Sequence, residues 1–205
     1  IEKEPRSLLW KLVAFGALAG LAASVLESAF LRLLGRFLPQ DSIIYLLIEN
    51  FLVVALVEEL CKRWPVMRFA WNHPAFDYRF DAVVYCVFSA LGFAALENVL
   101  YVLNYGLGVA VSRALLSVPG HFFFSVYMGI YLGESKQAER YGEVYEKERF
   151  LRSSILIPTL LHGFWDFSLS IESKWMTVIF YVFVIVFFLS ANHRLRAASD
   201  TDNHL

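Results

Sequence analysis

The stretch Glu58-Glu59-Leu60-Cys61-Lys62 ends an apolar run that begins at Ile43. A charged residue inside a bilayer costs about 2.5–3.5 kcal/mol on insertion scales, so two carboxylates and an ammonium group here require polar surroundings within the protein. Lipid cannot satisfy polar groups, and a helix pairs its own backbone groups internally. The stretch therefore predicts a bundle of membrane helices with a polar site buried between them.

The composition supports a membrane protein. The chain has 205 residues, of which 58% are hydrophobic, and its mean hydropathy is +0.54. Soluble domains contain roughly 45–50% apolar residues, so the lipid bilayer is the expected surrounding. The formal net charge is −1, and nucleic acid is therefore not an expected partner.

Six segments are long enough to cross a bilayer of about 30 Å. They are residues 10–34, 43–60, 82–105, 110–133, 151–171 and 175–191. Because no tandem repeat and no separate soluble segment is found, we predict one all-α integral-membrane domain over residues 1–205. The charged stretch 134–150 is predicted to be a cytoplasmic loop, with a solvated helix on the membrane surface at 136–149.

Lys and Arg residues are distributed unevenly over the connections between the predicted spans. Fourteen fall on one side of the membrane and four on the other, and the positively charged connections are expected to face the cytoplasm. Both termini of the chain are therefore expected to be cytoplasmic. The chain starts with Ile rather than Met, and we expect a further segment to precede it.

Three other apolar segments each contain a pair of residues spaced four apart, of which at least one is polar. The motifs are Phe93-x-x-x-Glu97, His121-x-x-x-Ser125 and His162-x-x-x-Asp166. Residues four apart lie on the same face of a helix, and in a bundle such faces must point away from lipid. We therefore expect the polar faces of four helices to meet in one buried site.

The Glu58-Glu59 pair is the strongest candidate for catalysis. Adjacent residues point about 100° apart on a helix, so we expect one carboxylate to face Lys62 or a neighbouring helix and the other to face the cavity. A carboxylate in a dry cavity is a competent base. With a bound water, and with histidines near the oxyanion, this arrangement suits the hydrolysis of an amide.

A second version of the same site holds a metal ion. Glu58, Glu97, His121 and His162 form a donor set that suits a divalent ion such as zinc, which would activate the water. The residues alone leave the glutamate-only version and the metal-assisted version open.

Other polar residues have simpler interpretations. Glu27 and Glu49 have no partner at helical spacing, so they are expected to be structural or to face the lumen. An alternative to a buried Lys62 is a side chain that extends its ammonium group to the lipid headgroups. Trp10 and Trp175 lie at the ends of spans and are expected to anchor the protein at the membrane interface.

The depth of the motifs sets a condition on the second span. At 1.5 Å per residue, His121 and His162 lie roughly 18 Å from the cytoplasmic surface. A second helix that ended with the apolar run would leave Glu58 at that surface. We therefore predict that this helix continues through Pro65 to about Ala70, and a structure that kept Glu58 away from both histidines would exclude a single site.

The order of these motifs resembles one known family. The stretches that carry the resemblance are Glu2–Pro5, Glu58-Glu59-x-x-Lys62, Leu91–Tyr101, Arg113–Leu116, Pro119-Gly120-His121, Met128-Gly129-x-Tyr131-x-Gly133 and Pro158-x-x-Leu161-His162-Gly163-x-x-Asp166-Phe167. Through nearly its whole length the chain resembles the PrsW family of intramembrane proteases, in the wider group of the CAAX prenyl endopeptidases. Its departures, at Ala82 and Tyr85-Cys86, lie outside the polar motifs.

The resemblance implies an intramembrane endopeptidase in the inner membrane of a bacterial cell. The implied substrate is a single-pass anti-sigma factor, cleaved as the first step of a signalling cascade. Glu58, Glu59, His121 and His162 are then the catalytic residues. The implied supporting residues are Lys62, Glu97, Asn98, Tyr101, Ser125 and Asp166. Proteins of this family are often described as metalloproteases, so zinc is an implied cofactor.

Two other functions fit part of the pattern. Ionisable residues inside a membrane also form proton relays, which makes a proton-coupled transporter one alternative, although neither an inverted repeat nor paired broken helices are found. A prenyl-protein endopeptidase is the other. Members of that group usually carry Glu-Glu-x-x-x-Arg and Phe-x-x-x-His, where this chain has Lys62 and Glu97.

Overall fold

The computed structural model describes residues 3–202 and 204–205, and within them the chain folds into six helices. Ile1, Glu2 and Asn203 lie outside the described residues, and Glu2 is the first residue of one motif that carries the family resemblance. The helices are α1 (Arg6–Leu34), α2 (43–70), α3 (Asp81–Tyr105), α4 (Leu107–Tyr141), α5 (Val144–Ser170) and α6 (Lys174–Asp200). The predicted all-α membrane bundle is confirmed.

Four of the helices, α1, α3, α4 and α6, are long and apolar enough to cross a membrane. They coincide with four of the six predicted spans. The other two predicted spans lie in α2 and α5, and these helices carry five of the ten predicted site residues. Six crossings remain a prediction, and so does the cytoplasmic position of the termini.

Helix α2 is continuous but irregular. Its parts are Ile43–Ile48, Glu49–Ala55, Leu56–Pro65 and Val66–Ala70, of which the second and the fourth are π-helical. Proline lacks the N–H that an α-helical turn needs, so the wider turn after Pro65 lets the helix continue. The predicted extension of the second helix to about Ala70 is therefore found.

The charged stretch 134–150 does not form a separate surface helix. Helix α4 continues to Tyr141, Gly142 turns the chain with φ +72°, and α5 begins at Val144. Glu139 accepts hydrogen bonds from Lys136 Nζ at 2.7 Å and from Lys147 Nζ at 2.5 Å, which joins the two helices across the turn. The predicted single helix over residues 136–149 is wrong because Gly142, in a left-handed conformation, ends one long helix and a second long helix begins two residues later.

Close backbone contacts place α2 and α3 against their neighbours. Gly16 of α1 lies against the Ser89 carbonyl of α3, and Gly92 of α3 lies against the Val13 carbonyl of α1. The Ser89 hydroxyl donates to the carbonyl of Lys62 at 2.7 Å, which fixes α3 to α2 beside the Glu58-Glu59 pair. These contacts set the rotation of α3 relative to the site.

We expect Gly92→Ala to lower the stability of the protein by about 2–3 kcal/mol, because a new Cβ would overlap the backbone carbonyl of Val13, which cannot turn aside as a side chain would. Thermal unfolding of the purified protein in detergent measures the change. Gly108→Ala is the matched control, since no atom lies within 4 Å of its added Cβ. Equal melting temperatures for the two variants would contradict the described contact between α1 and α3.

Candidate active site

Lys62 lies at the centre of the polar cluster. Its Nζ donates to Glu58 Oε2 at 2.9 Å, to Glu59 Oε1 at 2.9 Å and to His121 Nδ1 at 2.8 Å. The side chain is fully buried, with the ring of Phe93 4.7 Å from its ammonium group. Lys62 therefore does not extend to the headgroups, and its charge is compensated inside the bundle.

Both glutamates contact the same ammonium group, which corrects the expectation that only one would do so. Lys62 follows Glu59 by three positions and Glu58 by four, and both spacings lie on its side of the helix. Its long side chain places Nζ between the two carboxylates. The angle of about 100° between adjacent residues separates the directions of Glu58 and Glu59. It does not prevent the long Lys62 side chain from reaching both carboxylates.

The network assigns the proton of His121. An ammonium group only donates hydrogen bonds, so His121 Nδ1 accepts from Lys62 and the ring proton lies on Nε2. Nε2 then donates to Glu97 Oε2 at 2.8 Å. Glu97 thereby fixes the orientation of a ring whose other nitrogen faces the centre of the site.

His162 contacts a carboxylate on each side of its ring. Nδ1 lies 3.0 Å from Glu59 Oε1, and Nε2 lies 3.1 Å from Asp166 Oδ2. Because an ionised carboxylate only accepts, the hydrogen bond to Glu59 assigns a proton to Nδ1. The ring stacks on Phe124 with centroids 4.8 Å apart. The predicted contact between His162 and Asp166 is present.

Arg113 was not predicted as a site residue. Its Nη2 lies 2.9 Å from Glu97 Oε2, its Nε donates to Asn98 Oδ1 at 2.7 Å, and its guanidinium stacks on Tyr101 at 3.6 Å. The predicted supporting residues Asn98 and Tyr101 therefore hold Arg113 rather than the acids. Arg113, like Glu97, is a single charged residue inside an apolar segment. The feature that identified Glu97 in the sequence could therefore also have identified Arg113.

One other residue differs from its predicted role. Ser125 is fully buried, but its hydroxyl makes no hydrogen bond to any described residue, so it is not part of the network. Glu27 of α1 was predicted to lack a partner, and its Oε1 is buried without one in the described part of the chain.

Glu58, His121 and His162 form a possible metal-binding triad, with ligand atoms within 4.8 Å of one another. Glu58 Oε2 lies 3.9 Å from His121 Nδ1 and 3.9 Å from His162 Nε2. One carboxylate with two imidazoles is a known donor set of catalytic zinc, whose ligand atoms lie roughly 3.3 Å apart. The residues therefore fit such an ion after a small contraction. The predicted fourth ligand, Glu97, binds Arg113 and the far side of the His121 ring instead.

Access to the cluster differs between its two sides. The side chains of Glu59 and Lys62 are fully enclosed, whereas those of Glu97 and Asp166 are 18% and 27% exposed. Glu58 uses Oε2 for Lys62, and no described residue donates to its Oε1. Glu97 and Asp166 contact the two imidazole rings, so a water or a substrate carbonyl that enters beside these partly exposed carboxylates would meet the rings first.

A family model described as "PrsW family intramembrane metalloprotease" matches residues 4–191. Three similar proteins are each named "Protease PrsW". The protein from Clostridioides difficile is 33% identical over 90% of this chain and 76% of its own length. The protein from Oceanobacillus iheyensis is 34% identical over 96% of this chain and 86% of its own length.

The third protein, from Geobacillus kaustophilus, is 42% identical over 62% of this chain. The matched region spans 54% of that relative, so this chain covers about half of its length. No solved structure matches the chain.

Proposed function

Because this chain belongs to the PrsW family of intramembrane metalloproteases, we propose that it hydrolyses a peptide bond of a membrane-anchored protein at the Glu58 site. The observation that carries the proposal is the placement of Glu58 Oε2 at 3.9 Å from a nitrogen of both His121 and His162. Three helices bring one carboxylate and two imidazoles together, and all three side chains are buried.

The proposed reaction starts with a water held at Glu58. Glu58 takes a proton from the water as its oxygen attacks the substrate carbonyl, and it then passes that proton to the leaving amine. In its protonated form, His162 would turn the N–H of Nε2 from Asp166 to the carbonyl oxygen and so stabilise the negative charge on it. Asp166 and Glu59 orient the His162 ring, and Glu97 orients the His121 ring.

A zinc ion would be held by Glu58, His121 and His162, and it would polarise the carbonyl and promote ionisation of the water. In that case Glu59 and Glu97, which contact the ring nitrogens that face away from the ion, would orient the two histidine ligands. Loss of such a role often changes metal affinity or activity by about 10–100-fold.

For the substrate we propose a single-pass membrane protein of the anti-sigma factor type, cut within the inner membrane of a bacterial cell. The support for this substrate class is the resemblance to the family. The excess of Lys and Arg on one side of the membrane supports the proposed orientation, with both described ends of the chain in the cytoplasm.

Cleavage of single-pass reporters tests the proposal. We expect the wild type to release a shortened product from at least one member of a co-expressed library, and His162→Ala to lose it by at least about 100-fold. His193→Ala is the control, since His193 is exposed and lies outside the cluster. Absence of product from every reporter, together with a proton flux that His162→Ala changes, would contradict the proposal and support a transporter.

A further inference from the structure

The ammonium group of Lys62 uses all three of its protons inside the site. Its acceptors are Glu58 Oε2, Glu59 Oε1 and His121 Nδ1, at 2.9, 2.9 and 2.8 Å. Two of these three acceptors, on Glu58 and His121, are also ligand atoms of the possible metal-binding triad. Glu58 Oε2 and His121 Nδ1 can therefore bind either the Lys62 ammonium group or a metal ion.

The distances leave no room for both cations. A zinc ion at about 2.0–2.2 Å from two atoms that lie 3.9 Å apart must sit almost on the line between them. Lys62 Nζ lies 2.9 Å from one of these atoms and 2.8 Å from the other. On any side of that line, the ion would be within about 3 Å of Nζ, which is contact distance between two positive charges.

We propose that Lys62 is the resident cation of this site and that its ammonium group and a divalent metal ion occupy the site in turn. The inference rests on the proposed function, because it concerns regulation of the same site. Binding of a metal requires the hydrogen bonds of Lys62 to Glu58 and His121 to break, and it requires a fully buried lysine side chain to move. Lys62 thereby keeps the affinity for metal low until a change in the bundle withdraws it.

The ring of Phe93 supplies a neighbouring position for the withdrawn ammonium group. Nζ already lies 4.7 Å from the centroid of this ring, which is within cation–π distance. A shift of Nζ towards the ring exchanges the hydrogen bonds to Glu58 and His121 for this contact. The two atoms then become free for a metal ion without exposing the lysine to lipid.

The test measures metal binding directly, with the full chain purified in detergent and Co²⁺ as the probe. Isothermal titration and the visible absorption of bound Co²⁺ report affinity and coordination, and neither depends on activity. We expect Lys62→Met to bind one Co²⁺ per chain at least about tenfold more tightly than the wild type, because the competing ammonium group is gone. Adding His121→Ala to this variant should abolish the gain.

Two variants separate competition from a general loss of charge. Lys62→Arg keeps a cation at the site, so we expect it to bind Co²⁺ as weakly as the wild type. Lys136→Met removes another buried lysine, which pairs with Glu139 at 2.7 Å and does not touch the triad, so its affinity for Co²⁺ should be unchanged. Lys62→Gln replaces Lys62→Met if the latter does not elute as a folded protein.

Equal affinity for Co²⁺ in the wild type and in Lys62→Met or Lys62→Gln would overturn the inference. A tighter affinity in Lys136→Met as well would also overturn it, since the effect would then be one of net charge. Failure of the proposed function has a different signature. The chain would cleave no reporter in any form, while the Co²⁺ affinities would still differ between the wild type and Lys62→Met.

Discussion

Replacing Glu58 by glutamine should reduce peptide cleavage by about 10³-fold, which is within the range for loss of a general base. Glutamine keeps the size of the side chain but cannot take a proton from water. The change also removes the carboxylate that both His121 and His162 face at 3.9 Å. In the metal-assisted version the same variant loses a ligand, so both versions of the site predict a large effect.

Single-turnover cleavage of a reporter that the wild type cuts measures this effect. Glu49→Gln is the matched control, because Glu49 lies on the same helix and makes no ion pair with a described residue. We expect Glu49→Gln to cleave at the wild-type rate. Retention of more than about a tenth of the activity in Glu58→Gln would assign the role of base to another residue.

Replacing Glu59 by alanine is expected to act on stability, by about 3–5 kcal/mol, because it removes one partner of a fully buried ion pair. Glu59 and Lys62 are both fully buried, and Glu59 Oε1 also lies 3.0 Å from His162 Nδ1. The variant therefore leaves the Lys62 ammonium group and the His162 ring with one carboxylate fewer. Chemical or thermal unfolding in detergent measures the loss.

The double variant with Glu59→Ala and Lys62→Met provides the control. It removes both charges of the pair, so we expect it to recover part of the stability that Glu59→Ala loses. Cleavage should not recover, because the orientation of His162 still lacks Glu59. A double variant that is less stable than the sum of its two single changes would contradict the pairing described here.

The hydropathy and the helical spacing predicted much of what is found. The apolar runs predicted the all-α membrane bundle, and the spacing of four placed His162 beside Asp166. The requirement that all polar faces meet at one depth predicted the continuation of α2 past Pro65 to Ala70. Such features depend on local composition, chain length and the rise of a helix, which the sequence contains directly.

Errors arose where a charge had to be assigned to a partner across helices. One solvated helix is predicted over residues 136–149, but Gly142 divides that stretch and Lys147 of α5 pairs with Glu139 of α4 across the turn. Arg113 is not among the predicted site residues, yet the bundle places its guanidinium 2.9 Å from Glu97 Oε2. Interactions between distant parts of a chain have no signature in local spacing.

The sequence by itself determined that this protein is a helical membrane bundle with ionisable groups inside it, because lipid permits few other backbones and few other places for charge. Only the tertiary structure decided which charges meet. Helix rotation, the π-helical turns of α2 and the reach of Lys62 and Arg113 bring Glu58 between two histidines and place an ammonium group at the same atoms. Those pairings depend on packing between helices, which no single segment specifies.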